Sequence, residues 1–358
     1  MTAHGWPSLL DDLLTGRDMS ADQGRWAMDQ VMSGAAAPAQ IAAFLVALRA
    51  KGVTGAELAV LVDVMLDHSV SLDLPQPSVD TCGTGGDNSG SVNISTMAAV
   101  VVAASGRRVV KHGNRAASSQ AGSADVLEAL GVVADLPPDE IADCLQRAGI
   151  VFCFAPVFHP ALRHAGPVRR ELGIRTVFNF LGPLANPARP VAQVVGVADL
   201  GMAPVVAGAL AARGTRALVF RGEDGMDEIT TLGPTRVWDA RTAAVTESVI
   251  DTVDLGIARP ASGALDGADA AHNASVARAV LSGAGSDAVR DAVAVNAAAA
   301  MAVFDVAAGT ADAAEDLPTQ LTPRIAEALA VIRDGRAAAT LDGWVAASRG
   351  PEDDAPAR

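Results

Sequence analysis

The chain has 358 residues, with 27 Lys and Arg against 41 Asp and Glu, and a formal net charge of −14 at pH 7. That balance excludes the broad basic surface of a nucleic-acid binder. With half of the residues hydrophobic and 19% charged, it also excludes the intrinsically disordered class.

At roughly 100–200 residues per domain, the length predicts two domains, or one large domain with an appendage. The opening MTAHGWPSLLDDLL has neither a basic leader nor an apolar signal core, and no run approaches the roughly 18 uninterrupted apolar residues of a membrane span. Cys82, Cys144 and Cys153 match neither a disulfide framework nor zinc-ligand spacing, so they read as free thiols. A soluble, cytoplasmic protein without a membrane partner is expected.

From residue 8 to residue 68 the pattern is helical four times over. Ser20 with Gln23, and Thr54 with Glu57, have capping-box spacing, and Gly52 suits a helix C-terminus. Residues 1–72 therefore read as a small all-helical domain, closed by the stiff DLPQPS hinge at 73–78. The texture then changes to short β-rich runs, VDTCG, RRVVKH, IVFCFA, AQVVGVA and RALVFRG, each followed by a glycine turn and an Ala/Leu-rich helical stretch. That alternation predicts an α/β domain with a central, mainly parallel sheet covered by helices. Residues 160–173 are helical and basic, and TVFNFLGPLANPARP follows as a second Pro/Gly-rich connector. The expected path leaves the helical domain, builds part of the sheet over 79–156 and returns to the helical domain over about 160–182. It then completes the sheet domain over 190–347. Residues 268–347 read as mostly helix and 348–358 as a flexible tail.

Four stretches carry possible chemistry. The first runs from Asp80 to Thr96, where Gly83, Gly85, Gly86 and Gly90 allow a backbone to wrap closely around an anion; Ser95 or Thr96 is placed to cap the following helix. It fits neither the G-x-G-x-x-G dinucleotide pattern nor the Walker A loop. The second is Lys111-His-Gly-Asn-Arg-Ala-Ala-Ser-Ser119, beyond a strand, with Lys111 as a point charge for phosphate. The third is the helix bearing Arg163, Arg169 and Arg170, whose planar forks suit a carboxylate. The fourth is Arg221-Gly-Glu-Asp-Gly-Met-Asp-Glu228, where adjacent Asp227 and Glu228 offer hard oxygens for Mg²⁺.

Taken in order, GTGGD, NIST, KHGNRAASS, GSADVLEALG, the HPALRHAGPVRRELGIRTVFNFLGPLANP block, GEDGMDEIT and LSGAGSDAVRDAVAVNAAAA resemble the anthranilate phosphoribosyltransferases of tryptophan biosynthesis over nearly the whole chain. The resemblance implies a nucleoside-phosphorylase-like phosphoribosyltransferase fold, a cleft between its two domains and a homodimer contacting through the helical domains. It implies that phosphoribosyl pyrophosphate lies against Gly83, Gly86, Asp87, Ser91, Asn93, Ile94, Ser95 and Thr96. Lys111, His112, Gly113, Asn114, Arg115, Ala116, Ala117, Ser118, Ser119 and Ser123 would complete that site. Anthranilate would meet Gly83, Asn114 and Arg169, with His112 and His159 nearby. Ser95, Asp227 and Glu228 would hold Mg²⁺, two ions per monomer. Asn88 and Val92 stand where many relatives have Gly and Phe.

The implied reaction needs no strong general base, because an aromatic amine is neutral and already has its lone pair. Lys111 and the metal ligands would stabilise charge leaving on pyrophosphate. Two other readings share the architecture: a pyrimidine nucleoside phosphorylase, and a non-catalytic relative that binds nucleic acid. The acidic composition and the retained Asn114 and Arg169 speak against the second.

Overall fold

The computed structural model describes residues 5–116 and 120–350. Four helices open the chain: α1 (Trp6–Leu14), α2 (Ala21–Met32), α3 (Pro38–Lys51) and α4 (Gly55–Asp67). Both expected capping boxes are formed, and Gly52 ends α3 with φ +87°. Glu57 does more than cap. Its Oε1 accepts the Met19 N–H at 2.7 Å, and its Oε2 accepts the Thr54 N–H and the Lys51 ammonium, each at 2.8 Å. One buried carboxylate thus pins the starts of α2 and α4 and the end of α3.

The sheet domain then begins with β1 (Val79–Gly83), α5 (Ile94–Ala104), β2 (Val109–Gly113), α6 (Ser123–Leu130), α7 (Ile141–Ala148) and β3 (Ile150–Phe154). A short α8 (Ala155–Phe158) and a 3-10 turn, Pro160–Arg163, lead to α9 (Gly166–Leu172) and α10 (Phe178–Leu184). The sheet resumes with β4 (Ala192–Gly196), α11 (Ala203–Ala212), β5 (Arg216–Gly222), β6 (Pro234–Ala240) and β7 (Thr246–Asp251). Four helices finish the fold: α12 (Ala270–Leu281), α13 (Asp287–Ala307), α14 (Leu317–Arg333) and α15 (Arg336–Ser348).

Among the described residues seven strands are ordered β3-β2-β1-β4-β5-β6-β7, the first five parallel and the last two antiparallel. Side chains alternate across the central strands as the pleat requires. On β5, Leu218 and Phe220 join the core under α5 and α13, while Ala217 and Val219 join the core shared with α4 and α11. Each face is therefore dry and helix-covered, as a parallel sheet demands.

The segment read as a second connector contains α10. Phe178, Phe180, Leu181 and Leu184 bury against the α1–α4 bundle, and the Asn179 Oδ1 accepts the Thr176 N–H at 2.9 Å to start the turn. Apolar burial overrides its Pro/Gly content. The basic stretch at 160–173 is likewise two pieces, the 3-10 turn and α9, and not one helix. The two antiparallel strands escape the sequence pattern because β7 is largely exposed and polar. At the C-terminus, Ser348 is buried inside α15 and its Oγ accepts the Val133 N–H at 3.0 Å, so the expected tail begins later than 348; residues 351–358 lie outside those described.

The chain's passages between bundle and sheet are tied side by side: the Val70 N–H donates to the Phe158 carbonyl at 2.9 Å and the Leu72 N–H to the Pro187 carbonyl at 3.4 Å. No helix among the described residues is long and apolar enough to cross a membrane.

Replacing Glu57 with Ala leaves Lys51 buried without that partner and two backbone amides unsatisfied. The expected loss is about 3–5 kcal/mol, against about 1 kcal/mol for Thr54→Ala, compared by urea unfolding midpoints. Equal losses would show that Glu57 acts only as a cap.

Candidate active site

The C-terminal ends of the parallel strands share one edge of the sheet, and the strand order reverses between β1 and β4. Open α/β sheets bind ligands in the crevice at such a reversal. Gly83 and Gly196 are paired in register there. A Cβ on Gly83 would run into the Asp227 carboxylate, and one on Gly196 into the Asp227 backbone carbonyl. Because both positions lack side chains, the loop after β5 settles onto the strand ends.

From that seat Asp227 Oδ2 accepts the Gly85 N–H at 2.7 Å, and Glu228 Oε1 accepts the Ser95 N–H at 3.1 Å. The two acids hold opposite ends of the glycine loop. Asn296, a buried amide within the Ala/Val run of α13, fixes the backbone of the next residue, Ile229, through both its N–H and its C=O. Its Oδ1 accepts the Ile229 N–H at 3.0 Å and its Nδ2 donates to the Ile229 carbonyl at 2.9 Å.

Lys111 is 2% exposed; its ammonium donates to the Thr81 carbonyl and lies 3.5 Å from Ser95 Oγ. Beneath it Asp80 accepts the His112 N–H at 3.1 Å and the Asn186 amide at 2.9 Å. Burial raises the Asp80 carboxyl to about 6 although Lys111 pulls it back. Burial also pushes Asp227 up to about 7, with Asp87 adding to the rise, and lifts Glu228 well above the usual carboxylate range. The Lys111 ammonium is lowered by burial. Asp80 and Glu228 share this one buried ammonium.

On the other wall, His112 and His159 stand edge to face with ring centroids 5.2 Å apart. Carbonyl partners set their tautomers, because a carbonyl can only accept. His112 Nδ1–H donates to Gly182 at 3.1 Å and His159 Nε2–H to Ala185 at 2.8 Å. His112 Nε2 and His159 Nδ1 are then buried lone pairs without a partner among the described residues. Arg169 lies over the Phe178 ring at 5.2 Å and has no ion-pair partner among the described residues, whereas Arg163 and Arg170 are exposed.

Several expected positions come out differently. Lys111, His112 and Gly113 end β2 itself instead of following it. Ser95 and Thr96 lie inside the first turn of α5; the residue at the cap is Asn93, with no side-chain capping bond. Asn93 instead donates to the Ala121 carbonyl at 3.2 Å and accepts from Asn273 at 3.0 Å. Ile94 and Thr96 are buried. Ser91 bridges to Asp266, and Ser123 opens α6 with its hydroxyl donating to the Asn114 carbonyl at 3.3 Å. Arg115 turns away to Glu128 at 2.6 Å and Asp125 at 3.2 Å, and Ala116 donates its N–H to Asp125 at 2.9 Å. Ala117, Ser118 and Ser119 lie outside the described residues.

The quoted stretches contain Asp80, Arg175, Asn186 and Asn296, but none of them has a role that the sequence alone assigns. An acid inside the buried strand VDTCG and an amide inside an all-apolar helix are the signals that could reveal two of them. Arg175, one turn beyond the basic helix, donates to the Gly85 and Gly86 carbonyls at 3.0 and 3.2 Å.

Residues 7–69 match the family described as "Glycosyl transferase family, helical bundle domain", and residues 75–338 match "Glycosyl transferase family, a/b domain". An anthranilate phosphoribosyltransferase from Arthrobacter sp. (strain FB24) is 54% identical over 345 residues, 96% of each chain. One from Nocardioides sp. (strain ATCC BAA-499 / JS614) is 53% identical over 343 residues, 96% of this chain and 98% of the relative. The crystal structure of anthranilate phosphoribosyltransferase from Thermus thermophilus superposes with a TM-score of 0.87 at 39% identity, covering 95% of this chain and 99% of that one. The Saccharomyces cerevisiae enzyme in complex with PRPP and Mg gives 0.84 at 25% identity, covering 96% and 98%. With its helical bundle, its mostly parallel sheet and such relatives along nearly its full length, the chain belongs to the anthranilate phosphoribosyltransferase family.

Proposed function

We infer that this chain transfers the 5-phosphoribosyl group from phosphoribosyl pyrophosphate to the amine of anthranilate, giving N-(5-phosphoribosyl)anthranilate and pyrophosphate in tryptophan biosynthesis. The observation that carries it is the descent of Asp227 and Glu228 onto the Gly83–Ser95 loop, in a chain that also keeps Arg169 without an ion-pair partner among the described residues. The direct test mixes protein, Mg²⁺, donor and anthranilate and follows the loss of anthranilate fluorescence. Phosphorolysis of thymidine or uridine in its place would favour the nucleoside phosphorylase reading.

The residues fit a magnesium ion. Among the described residues no cluster of three or more His, Cys, Asp or Glu is arranged to hold a metal alone. Mg²⁺ typically takes one or two carboxylates and completes its shell with substrate phosphate oxygens and water. Asp227 and Glu228, with Ser95 beside them, would hold it, two ions per monomer. Bound there, it supplies Lewis-acid stabilisation of the leaving pyrophosphate.

Everything else falls to the chain. The loop Gly83–Asp87, Ser91 and Asn93 through Thr96 would wrap the donor, with Lys111 adding a fixed positive charge where negative charge develops. The backbone following Lys111, from His112 to Ser119 with Ser123, would cover it; Arg115, held by Glu128, would take part through its backbone. Arg169 would grip the anthranilate carboxylate, with Gly83 and Asn114 beside the ring. The neutral imidazoles of His112 and His159 offer lone pairs but no charge, in keeping with a reaction that needs alignment more than a base.

The division into 1–72 with 160–182 returning, against 79–156 with 190–347, is the expected unit for closure over the two substrates. A homodimer through the helical bundle is supported by exposed Leu14 and Val46 on α1 and α3. A cytoplasmic location follows from the biosynthetic role.

Arg169→Ala is expected to raise KM for anthranilate at least tenfold more than KM for the donor, since a bidentate carboxylate contact of about 1.5–3 kcal/mol is lost. Equal changes in both would remove Arg169 from the acceptor site. Asp227→Asn with Glu228→Gln should shift the Mg²⁺ titration of activity to higher concentration; an unmoved titration would exclude them as ligands.

Burial holds His112 down at about 3, with His159 adding to the effect, and holds His159 at about 4. Below about pH 6.5 the unfolded chain binds protons that these folded imidazoles refuse, so they destabilise the fold progressively with acid. The raised carboxylates act in the opposite sense. The imidazole part is therefore read as a difference: the stability gap between wild type and His159→Gln should narrow by about 1.4 kcal/mol per pH unit between 6.5 and 4.5. A constant gap would mean that His159 titrates normally.

A further inference from the structure

Arg175 belongs to the extended link between α9 and α10, the arm that carries Arg169, yet its guanidinium crosses to the glycine loop after β1. There it donates to two successive carbonyls, Gly85 at 3.0 Å and Gly86 at 3.2 Å. Its own carbonyl accepts from Arg49 of α3, and its guanidinium lies 5.9 Å from the centre of the Phe180 ring. The backbone of Arg175 is thus anchored to the bundle, and its side chain passes α10 before it reaches the loop.

A trans peptide is planar, so its C=O and N–H point in opposite directions. Fixing the Gly85 and Gly86 carbonyls toward Arg175 turns the Gly86 and Asp87 N–H groups the other way. Neither of those amides has a hydrogen-bond partner among the described residues. The Gly85 N–H, by contrast, is already taken by Asp227. Gly85 and Gly86 have φ +65° and +73°, a backbone that side-chain-bearing residues rarely adopt, and a Cβ on Gly86 would come within 2.8 Å of Arg175 Nη1. The conformation that frees the two amides therefore depends on glycine and on the arginine seated against it.

We propose that Arg175 is a positioning residue for the phosphoribosyl donor: it presets the Gly86 and Asp87 amides as anion-binding donors, from the arm that holds the acceptor. This role rests on the donor assignment made under Proposed function. It asks for a planar fork that spans two carbonyls, which a lysine point charge does not supply.

The test measures binding of phosphoribosyl pyrophosphate and of anthranilate by titration calorimetry, with steady-state kinetics alongside, for wild type, Arg175→Lys and Arg175→Ala. Both variants should weaken the donor by about tenfold or more, the loss expected when charged hydrogen bonds that order its ligands disappear. Donor KM should rise accordingly, while anthranilate affinity and kcat at saturating donor stay within about twofold. If Arg175→Ala does not fold, as judged by its thermal transition, the lysine variant decides. Unchanged donor affinity in a folded variant, or equal weakening of both ligands, overturns the positioning role. Failure of the wild type to bind the donor overturns the donor assignment itself.

Discussion

Two missing side chains set the geometry of this site. Gly83 and Gly196 stand opposite each other where the sheet order reverses, and the Asp227 peptide rests on both. A methyl group at either position would lift the acidic loop away from the strand ends. The bonds from Asp227 to Gly85 and from Glu228 to Ser95 would stretch with it. Asn296 secures the same loop through both the N–H and the C=O of Ile229. Close backbone approach, and not any single charged contact, brings the chemistry together.

Once seated, the loop creates an electrostatic imbalance. Asp80, Asp227 and Glu228 are desolvated carboxylates, and the one buried cation, Lys111, is set against Asp80 and Glu228. Burying ionised groups without full compensation is costly, and their raised proton affinities express that cost. In the function proposed above, a divalent ion arriving with its phosphate ligand would relieve the imbalance and let a polyanionic donor bind a protein of net charge −14. Beyond roughly 8 Å at physiological salt the surface charge is largely screened, so the local set decides.

What could be read from the sequence follows from how each residue's role is encoded. The capping boxes at Ser20 and Thr54, the five parallel strands and the clustered glycines are local patterns, and the structure contains them. The all-helical opening and the α/β alternation were legible in the same way, ahead of any family resemblance. Asp80, Asn186, Arg175 and Asn296 were not legible, because each acts through a partner far along the chain: Asp80 meets Asn186, 106 residues away, and Asn296 meets Ile229, 67 residues away. Strands β6 and β7 were missed for a different reason: β7 is an exposed, polar edge strand, and β6, PTRVWDA, alternates buried residues with Arg236 and Asp239, so neither shows the apolar run of the parallel strands. The Pro/Gly-rich text of TVFNFLGPLANPARP reads locally as a connector, while the expected return of helices over about 160–182 takes in most of α10, whose Phe178 and Leu181 answer to the core they enter.

That core has a consequence for how the protein could be rebuilt. The helical bundle is discontinuous: Ala165, Val168, Phe178, Leu181 and Leu184, contributed from beyond the first half of the sheet, fill the same hydrophobic interior as Leu9, Phe44 and Leu58. A chimera that transplanted only the N-terminal helices from a relative would bring in half an interior and mismatch the other half. The graftable module is the N-terminal helices plus the segment near residues 160–185, exchanged as a pair.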